Sequence, residues 1–309
     1  GSGAGFGAMI VYLIALQRGL SSFRLVNQRI TSTTRFYPQI KRYLSFVETS
    51  EALLREGAKP GRPATLSLEV ARPALEGSAL RRDLDPPSRL GLLSPIPVDR
   101  YSLGLLVDSL FGGADNDAAR YVLTSSAFAT PDYELLARQP FRTSVGLPED
   151  WDADRLLAEL GALGLQGADV QAIPALDSPC DDDAWRRVGE GLRFTLAALS
   201  ASRSSAEWVF LDERGLGALN SKQRSALLDR LGRRVVVVVY HHRRSDPGAY
   251  GEDVVAVVDG EDLVGLGPVD WFRQNRGAAE EALLEGPLGD VRRVGFIPDD
   301  EEDDEAEDG

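Results

Sequence analysis

The chain has 309 residues, of which 43% are hydrophobic and 27% are charged, proportions that are ordinary for a folded protein. A single cysteine, Cys180, excludes an intrachain disulfide and a cysteine-based metal site, and two adjacent histidines disfavour a histidine-rich one. The net charge is −14, but nine acidic residues lie in Asp299–Asp308, which leaves only −5 for the rest of the chain. That balance, with no basic stripe or aromatic ladder, argues against a nucleic-acid partner.

An uncharged, mostly apolar run, Ala4–Leu16, lies near the start of the sequence. It is shorter than the roughly 20 residues of a spanning helix, and we expect it to be the end of a longer membrane helix. The basic, amphipathic segment Gln17–Thr49 follows, interrupted at Pro38, and positive charge beside an apolar run marks the cytoplasmic side of a membrane. A signal peptide and a core helix are the alternative interpretations.

Two further segments differ in composition from a folded domain. Arg55–Ala64 (REGAKPGRPA) is rich in Gly, Pro and charge and is predicted to be a linker. Residues 286–309 are predicted to be a disordered acidic tail, since dense like charges repel one another. The tail either keeps the protein soluble or binds a partner.

From Thr65 onward, strand and helix patterns alternate. The strand candidates are Leu66–Val70, Arg89–Leu93, Tyr121–Ser125, Glu207–Leu211 and Val235–Tyr240, and the helix candidates are Ser102–Leu110, Asp152–Leu163 and Asp182–Leu199. The valine run predicts a strand covered on both faces. Val254–Val258 and Leu263–Leu266 predict a hairpin across an Asp-Gly turn. Together they predict an α/β sheet that is parallel at its centre and has an antiparallel part.

The segment WVFLDERGLGALN (208–220) is a hydrophobic strand that ends in Asp212 and Glu213. Adjacent carboxylates at a strand end suit one group for a metal ion and one for activating a nucleophile. The strand and acid pair resemble the Walker B motif, and GALN resembles the D-loop, of exporter-type ABC transporters. In that family a membrane domain is fused ahead of an ATPase cassette. The resemblance implies that Asp212 holds Mg²⁺ through water and that Glu213 polarises the attacking water.

The resemblance extends to both sides of the acid pair. The next strand ends VVVVVYHH, which puts His241 where the family has its switch histidine, a contact of the γ-phosphate. A strand-end histidine hydrogen-bonded to a neighbour is the alternative. Glu252–Gly267 resembles the hairpin that follows the switch. Val188–Arg193 (VGEGLR) falls at the signature motif, where Gly191 matches but Gly189 replaces the serine and Glu190 a glycine.

The phosphate loop is the part that departs furthest from the family. Between the strand RLGLL and the next helix, residues 94–102 read SPIPVDRYS and contain no glycine. The family has a glycine-rich loop ending G-K-[ST]-T here. By alignment, Arg100 is at the position of its lysine, Tyr101 at that of its first hydroxyl residue and Ser102 at that of its second. The resemblance implies that Ser102 contributes to the Mg²⁺ site with Asp212. The phosphate cradle needs backbone N–H groups in conformations that glycine permits, and the two prolines lack an N–H. Near ATPDYELLARQPFRTSV (129–145), Asp132 replaces the glutamine that senses Mg²⁺ and water.

The resulting fold prediction is an ABC-type, P-loop NTPase-like α/β cassette with a smaller helical subdomain, preceded by a long helix from a membrane domain. Residues 1–54 are predicted to be the last membrane helix and its extension, 55–64 the linker, 65–285 the cassette and 286–309 the tail.

The predicted function is a degenerate subunit of an ABC exporter-like transporter in the plasma or inner membrane, with its cassette on the cytoplasmic side. ATP and Mg²⁺ are the implied cofactors, with impaired or absent hydrolysis and an unknown transported substrate. A second ABC subunit is the implied partner, and a heterodimer is favoured because a homodimer would contain two altered sites. The alternatives are an inactive scaffold or regulatory partner, and an active ATPase with a divergent site.

Overall fold

A computed structural model describes residues 61–63, 66–70, 73–100, 102–112, 116–132, 139–241, 245–259, 262–277 and 279. The predicted membrane helix, most of the linker, Tyr101 and the acidic tail lie outside these ranges. In the part of the chain that is described, no helix has the length and apolar character needed to cross a membrane.

Two sheets are present in these residues. The smaller pairs two antiparallel strands, β1 (Ser67–Glu69) and β2 (Arg81–Asp83). The larger consists of β3 (Ser88–Leu93), β4 (Ser126–Ala129), β5 (Trp208–Asp212), β6 (Val235–Tyr240), β7 (Val254–Asp259) and β8 (Asp262–Pro268). Its order is β4-β5-β6-β3-β7-β8, with every neighbouring pair parallel except the β7–β8 hairpin. The predicted mixed α/β sheet is therefore confirmed, and it is compatible with a P-loop-like α/β fold.

The helices occupy the connections between these strands. They are α1 (Leu103–Phe111), α2 (Asp117–Thr124), α3 (Phe141–Val145), α4 (Ala153–Ala162), α5 (Asp182–Arg187), α6 (Glu190–Arg203), α7 (Glu213–Gly217), α8 (Ser221–Leu231) and α9 (Val269–Gln274), with a 3₁₀ turn at Gly167–Val170. Four of them, α3 to α6, lie in the long segment between β4 and β5.

The large sheet has a hydrophobic core on each face. Alternate residues of β6 belong to different cores: Val236, Val238 and Tyr240 to one, and the intervening valines to the other. The first core also includes buried residues of α4, α6 and α8, and the second those of α1 and α2. All six residues of β6 are buried, which confirms the prediction of a strand covered on both faces.

Two of the predicted elements were wrong. Tyr121–Ser125, predicted as a strand, lies almost wholly in α2, and the strand β4 begins at Ser126. The segment is helical because the Asn116 side chain caps α2 by accepting the Ala118 N–H at 2.8 Å. Tyr121 and Val122 are both on the buried face of this helix. The single helix predicted for Asp182–Leu199 is two helices, separated at Val188 and Gly189.

A close contact between α7 and α6 depends on one glycine. A Cβ atom added at Gly215 would lie 2.1 Å from the ring of Phe194, a fully buried residue. At Gly217, in the same short helix, the nearest atom to an added Cβ is the Tyr250 hydroxyl at 4.0 Å. Only the first position therefore requires the absence of a side chain.

We expect Gly215→Ala to lower the free energy of unfolding by about 1–3 kcal/mol, the usual cost of overfilling a packed core. Chemical denaturation of the full chain measures this. Gly217→Ala is the matched control, because it has space and gains helix propensity, and it is expected to be neutral or stabilising by up to about 1 kcal/mol. Equal effects of the two substitutions would contradict the packing shown for Phe194.

Glu159 on α4 connects three helices. Its carboxylate accepts hydrogen bonds from Arg203 on α6 and from Arg230 on α8, and only 17% of its side chain is exposed. Burial alone raises the pKa of Glu159, but the hydrogen bonds and charges of Arg230 and Arg203 lower it overall.

This ion-pair network predicts a specific pH dependence of stability. Because the pKa of Glu159 is lower in the folded chain, its stabilising effect is full above the ordinary glutamate pKa of about 4.3 and is lost as the pH falls through the folded value. Glu159→Gln should therefore cost about 1–2 kcal/mol at pH 7 and progressively less below about pH 4. Denaturation curves from pH 7 to pH 3 test this, with the exposed Glu149→Gln as control. A cost that does not change with pH would refute the assignment.

Candidate functional site

The predicted site residues follow strands that are neighbours in the sheet. Residues 94–102 follow β3, Thr130 to Asp132 follow β4, Asp212 ends β5 and His241 follows β6. These four strands are parallel and adjacent, so their carboxyl ends lie at one edge of the sheet. Open α/β sheets bind ligands at that edge.

Asp212 is at the centre of this edge, and its side chain is fully buried. One oxygen, Oδ1, accepts the Arg214 backbone N–H at 2.9 Å and the Arg214 Nε–H at 3.4 Å. The other, Oδ2, accepts the Thr130 hydroxyl at 3.1 Å and the Arg214 Nη2–H at 2.9 Å. The backbone bond makes Asp212 the N-cap of α7, which explains why the chain turns into a helix directly after the strand.

Arg214 connects the ends of β5 and β4. Besides its fork-shaped contact with Asp212, its Nη2 atom donates to Asp132 Oδ2 at 2.7 Å. Hydrogen bonding to Asp212 raises the pKa of Arg214, so the guanidinium remains a cation. Asp132, at the position where the resemblance expects a glutamine, therefore lies in an ion-pair network with both residues.

Glu213 turns toward the segment that follows β6. Its Oε2 atom accepts the Ser245 hydroxyl at 2.7 Å. Burial raises the pKa of Glu213, and the nearby carboxylates of Asp212 and Glu252 raise it further, against the opposing effect of Ser245. The candidate general base is thus a partly buried carboxylate with a hydroxyl partner.

His241 lies beside Asp212, with 3.7 Å between its Nε2 atom and Asp212 Oδ1. Neither ring nitrogen makes a hydrogen bond of normal geometry to a residue that the structure describes. Burial lowers the pKa of His241, although the carboxylate of Asp212 opposes that shift. The neutral imidazole is therefore favoured at pH 7.

The loop between β3 and α1 folds inward on its own side chains. Ile96 and Val98 are buried in the core that includes α1, and the Ser94 hydroxyl accepts the Ile96 N–H at 3.1 Å. Asp99 then covers the start of α1: its Oδ1 atom accepts the Ser102 N–H at 2.7 Å. A carboxylate of the chain itself is thus bound at a helix start, where the free N–H groups favour an anion.

The remaining candidates of this loop differ in accessibility. Arg100 is exposed, whereas Ser102 is fully buried and its hydroxyl has no hydrogen-bond partner within the described ranges. Tyr101 lies outside those ranges. Among the described residues, no hydrogen bond or ion pair joins Arg100 or Ser102 to Asp212, Glu213 or His241.

The signature candidates lie elsewhere, at the start of α6. Gly189 is the N-cap of this helix and is exposed together with Glu190. A Cβ atom at Gly191 would lie 3.1 Å from the carbonyl oxygen of Ala218, so Gly191 packs against the chain that follows α7. Among the described residues, no hydrogen bond or ion pair joins Gly189 or Gly191 to Asp212 and its partners.

The structure thus brings Asp132, Asp212, Glu213 and His241 to one edge of the sheet. Sequence reasoning missed three partners of these residues: Arg214, Thr130 and Ser245. A signal existed for Arg214, since it follows the acid pair directly and a buried aspartate needs a cation. In the portion that is described, no group of three or more His, Cys, Asp or Glu side chains is arranged to hold a metal ion.

No protein-family model matches this chain, and no curated protein matches it either.

Replacing Arg214 tests whether it balances the buried charge of Asp212. Arg214→Met keeps an apolar stem but removes the cation, and we expect a loss of about 1–3 kcal/mol in the free energy of unfolding. The matched control is Arg81→Met, which removes an exposed arginine from its pairs with Glu69 and Asp83 and should cost about 0–1 kcal/mol.

The double substitution Asp212→Asn with Arg214→Met completes the cycle. Because no buried charge is then left unpaired, its cost should be smaller than the sum of the two single costs. Additive costs, measured by denaturation of the four chains, would contradict the pairing.

Proposed function

We propose that this chain is a degenerate ATP-binding and permease subunit of an ABC exporter-like transporter, with impaired or absent hydrolysis at its own site. The observation that carries the proposal is the convergence of the segments after β3, β5 and β6 at one edge of the mixed α/β sheet, which is compatible with a P-loop-like fold. The resemblance assigns these three segments to one nucleotide. Its phosphate loop, acid pair and switch histidine would have to lie together, and the strand order meets that requirement.

The residues at this edge do not fit a nucleotide bound in the usual way. The N-terminus of α1, where the resemblance expects phosphate, has the Asp99 carboxylate on the Ser102 N–H. A phosphate there would meet a like charge. Ile96 and Val98 hold the loop against the core, and Pro95 and Pro97 lack the N–H groups that a phosphate cradle needs.

The residues also do not fit Mg²⁺ in the family's position. Each oxygen of Asp212 accepts two hydrogen bonds, which leaves no acceptor position for a water bound to the ion. What is retained is the part that would act on the nucleotide, Glu213 and His241. Glu213 has Ser245 as a partner on Oε2, so this hydrogen bond fixes the orientation of the carboxylate.

A second subunit is part of the proposal. In the family the two cassettes pair head to tail, and each nucleotide lies between the phosphate loop of one subunit and the signature motif of the other. Gly189 and Glu190 are exposed at the start of α6, so they are accessible to such a partner. A heterodimer is favoured because two copies of this chain would form two altered sites.

The alternative is an inactive cassette that serves as a scaffold or regulatory partner. It is favoured by the same contacts, since a site in which Arg214 balances the charge of Asp212 and Asp99 binds the Ser102 N–H needs no ligand in order to fold. In either case the proposed location is a membrane, with the cassette on its cytoplasmic side.

A titration of the purified full chain with a fluorescent ATP analogue and Mg²⁺ tests the nucleotide claim. We expect no saturable binding in the low-micromolar range, because the charge and shape of the loop oppose a phosphate. Low-micromolar binding that Arg100→Ala abolishes would contradict the claim. Arg82→Ala, an exposed arginine on β2, is the control for a general loss of positive charge.

Affinity purification of the full chain from its own cells distinguishes the transporter from the scaffold. The transporter proposal predicts recovery from the membrane fraction with a second subunit whose phosphate loop has an intact G-K-[ST] motif. Recovery from the soluble fraction, with no ATPase among the partners, would contradict it and favour the scaffold.

A further inference from the structure

The Asp212 carboxylate has no free position for a metal ion. A carboxylate offers about four lone-pair sites on its two oxygens. Here Oδ1 accepts from the Arg214 N and Nε atoms, and Oδ2 accepts from Thr130 Oγ1 and Arg214 Nη2. Each oxygen therefore already has two donors, and a metal ion could reach Asp212 only by displacing one of them.

The charge of Asp212 is balanced in the same way. Its side chain is fully buried, and an ion removed from water is strongly unfavourable unless a partner of opposite charge is close. Arg214 supplies that charge with two parallel hydrogen bonds, a geometry that suits a planar guanidinium and a planar carboxylate. No other residue donates a charged hydrogen bond to Asp212 in the described ranges, and the imidazole of His241 stays 3.7 Å away.

Arg214 also joins the end of β5 to the turn after β4. Its Nη2 atom lies 2.9 Å from Asp212 Oδ2 and 2.7 Å from Asp132 Oδ2. A single nitrogen thus contacts one carboxylate oxygen from the end of β5 and one from the turn after β4. Carboxylate oxygens contributed by two segments are the kind of ligand that a hard divalent cation prefers, with water completing its coordination.

We propose that Arg214 is a built-in cation that takes the place of a divalent metal ion at Asp212, so that this edge of the sheet is complete without metal. The guanidinium supplies what a bound ion would supply: positive charge against a buried carboxylate and a bridge from β5 to the turn after β4. The proposal concerns the same site as the proposed function, but it does not require the chain to be a transporter subunit.

The test is a titration of the folded full chain with Mn²⁺ alone. Binding is measured as a decrease in the electron paramagnetic resonance signal of free Mn²⁺. The wild-type chain should bind no Mn²⁺ at Asp212 up to about 1 mM, the weak end of carboxylate sites. Arg214→Ala should create one site with a Kd on the order of 10⁻⁴–10⁻³ M. The new site should disappear in Arg214→Ala combined with Asp212→Asn.

Two further variants control for misfolding of the alanine variant and for effects unrelated to the charge of Arg214. Arg214→Gln removes the charge while keeping a shorter polar side chain, and it is used if circular dichroism shows that the alanine variant does not fold. Arg214→Lys retains a cation, and it should therefore bind no Mn²⁺ at Asp212.

Two results would overturn the proposal. One is Mn²⁺ binding by the wild-type chain that Asp212→Asn removes, which would mean that the metal position is open. The other is a folded Arg214→Ala or Arg214→Gln chain that gains no site at Asp212, which would mean that Arg214 does not stand where a metal ion could bind. The Mn²⁺ titration contains no nucleotide and no partner. Its result therefore does not decide the transporter proposal, which is tested by the nucleotide titration and the affinity purification.

Discussion

The buried carboxylate of Asp212 is the constraint on which this edge of the molecule depends. β5 is an interior strand of the sheet, and its last residue is removed from water, so the negative charge must be balanced by neighbouring donors. The donors come from the turn after β4 and from the first turn of α7. The same hydrogen bonds therefore start α7, hold the turn after β4 and place Asp132 next to Arg214. Removing the charge balance would affect all three.

A second internal charge acts in a similar way after β3, which is separated from β5 by β6. Asp99 binds the Ser102 N–H at the beginning of α1, where a helix attracts anions. With Arg214 on Asp212 and Asp99 on α1, the chain itself supplies both a cation and an anion at the edge where the resemblance expects Mg²⁺ and phosphate. The proposed loss of nucleotide binding thus has two causes: the loop lacks glycines, and groups of the chain itself lie where the ion and the phosphate are expected. Glu213 and His241 lie beside a carboxylate, that of Asp212, whose two oxygens already accept hydrogen bonds.

Local sequence patterns predicted most of the sheet, because long apolar runs such as Val235–Tyr240 leave few alternatives to a strand covered on both faces. Tyr121–Ser125 was mistaken for a strand, since its apolar residues are as compatible with a short helix and only the Asn116 cap decides. The sequence placed Asp212, Glu213 and His241 at the ends of predicted strands, and the structure puts them at one edge of the sheet together with Asp132, which only the resemblance had singled out. Thr130 lies 82 residues from Asp212 in sequence, so no local pattern could reveal that hydrogen bond. The same holds for Ser245 and Glu213, which are 32 residues apart.

A crystal structure of the full chain, grown with Mg²⁺ and a non-hydrolysable ATP analogue, tests the central claim most directly. The claim predicts that the Arg214 guanidinium remains within hydrogen-bond distance of Asp212, that Asp99 remains at the start of α1, and that neither ion nor nucleotide lies between them. A Mg²⁺ ion linking Asp212 to a bound phosphate, with Arg214 displaced from the carboxylate, would contradict it.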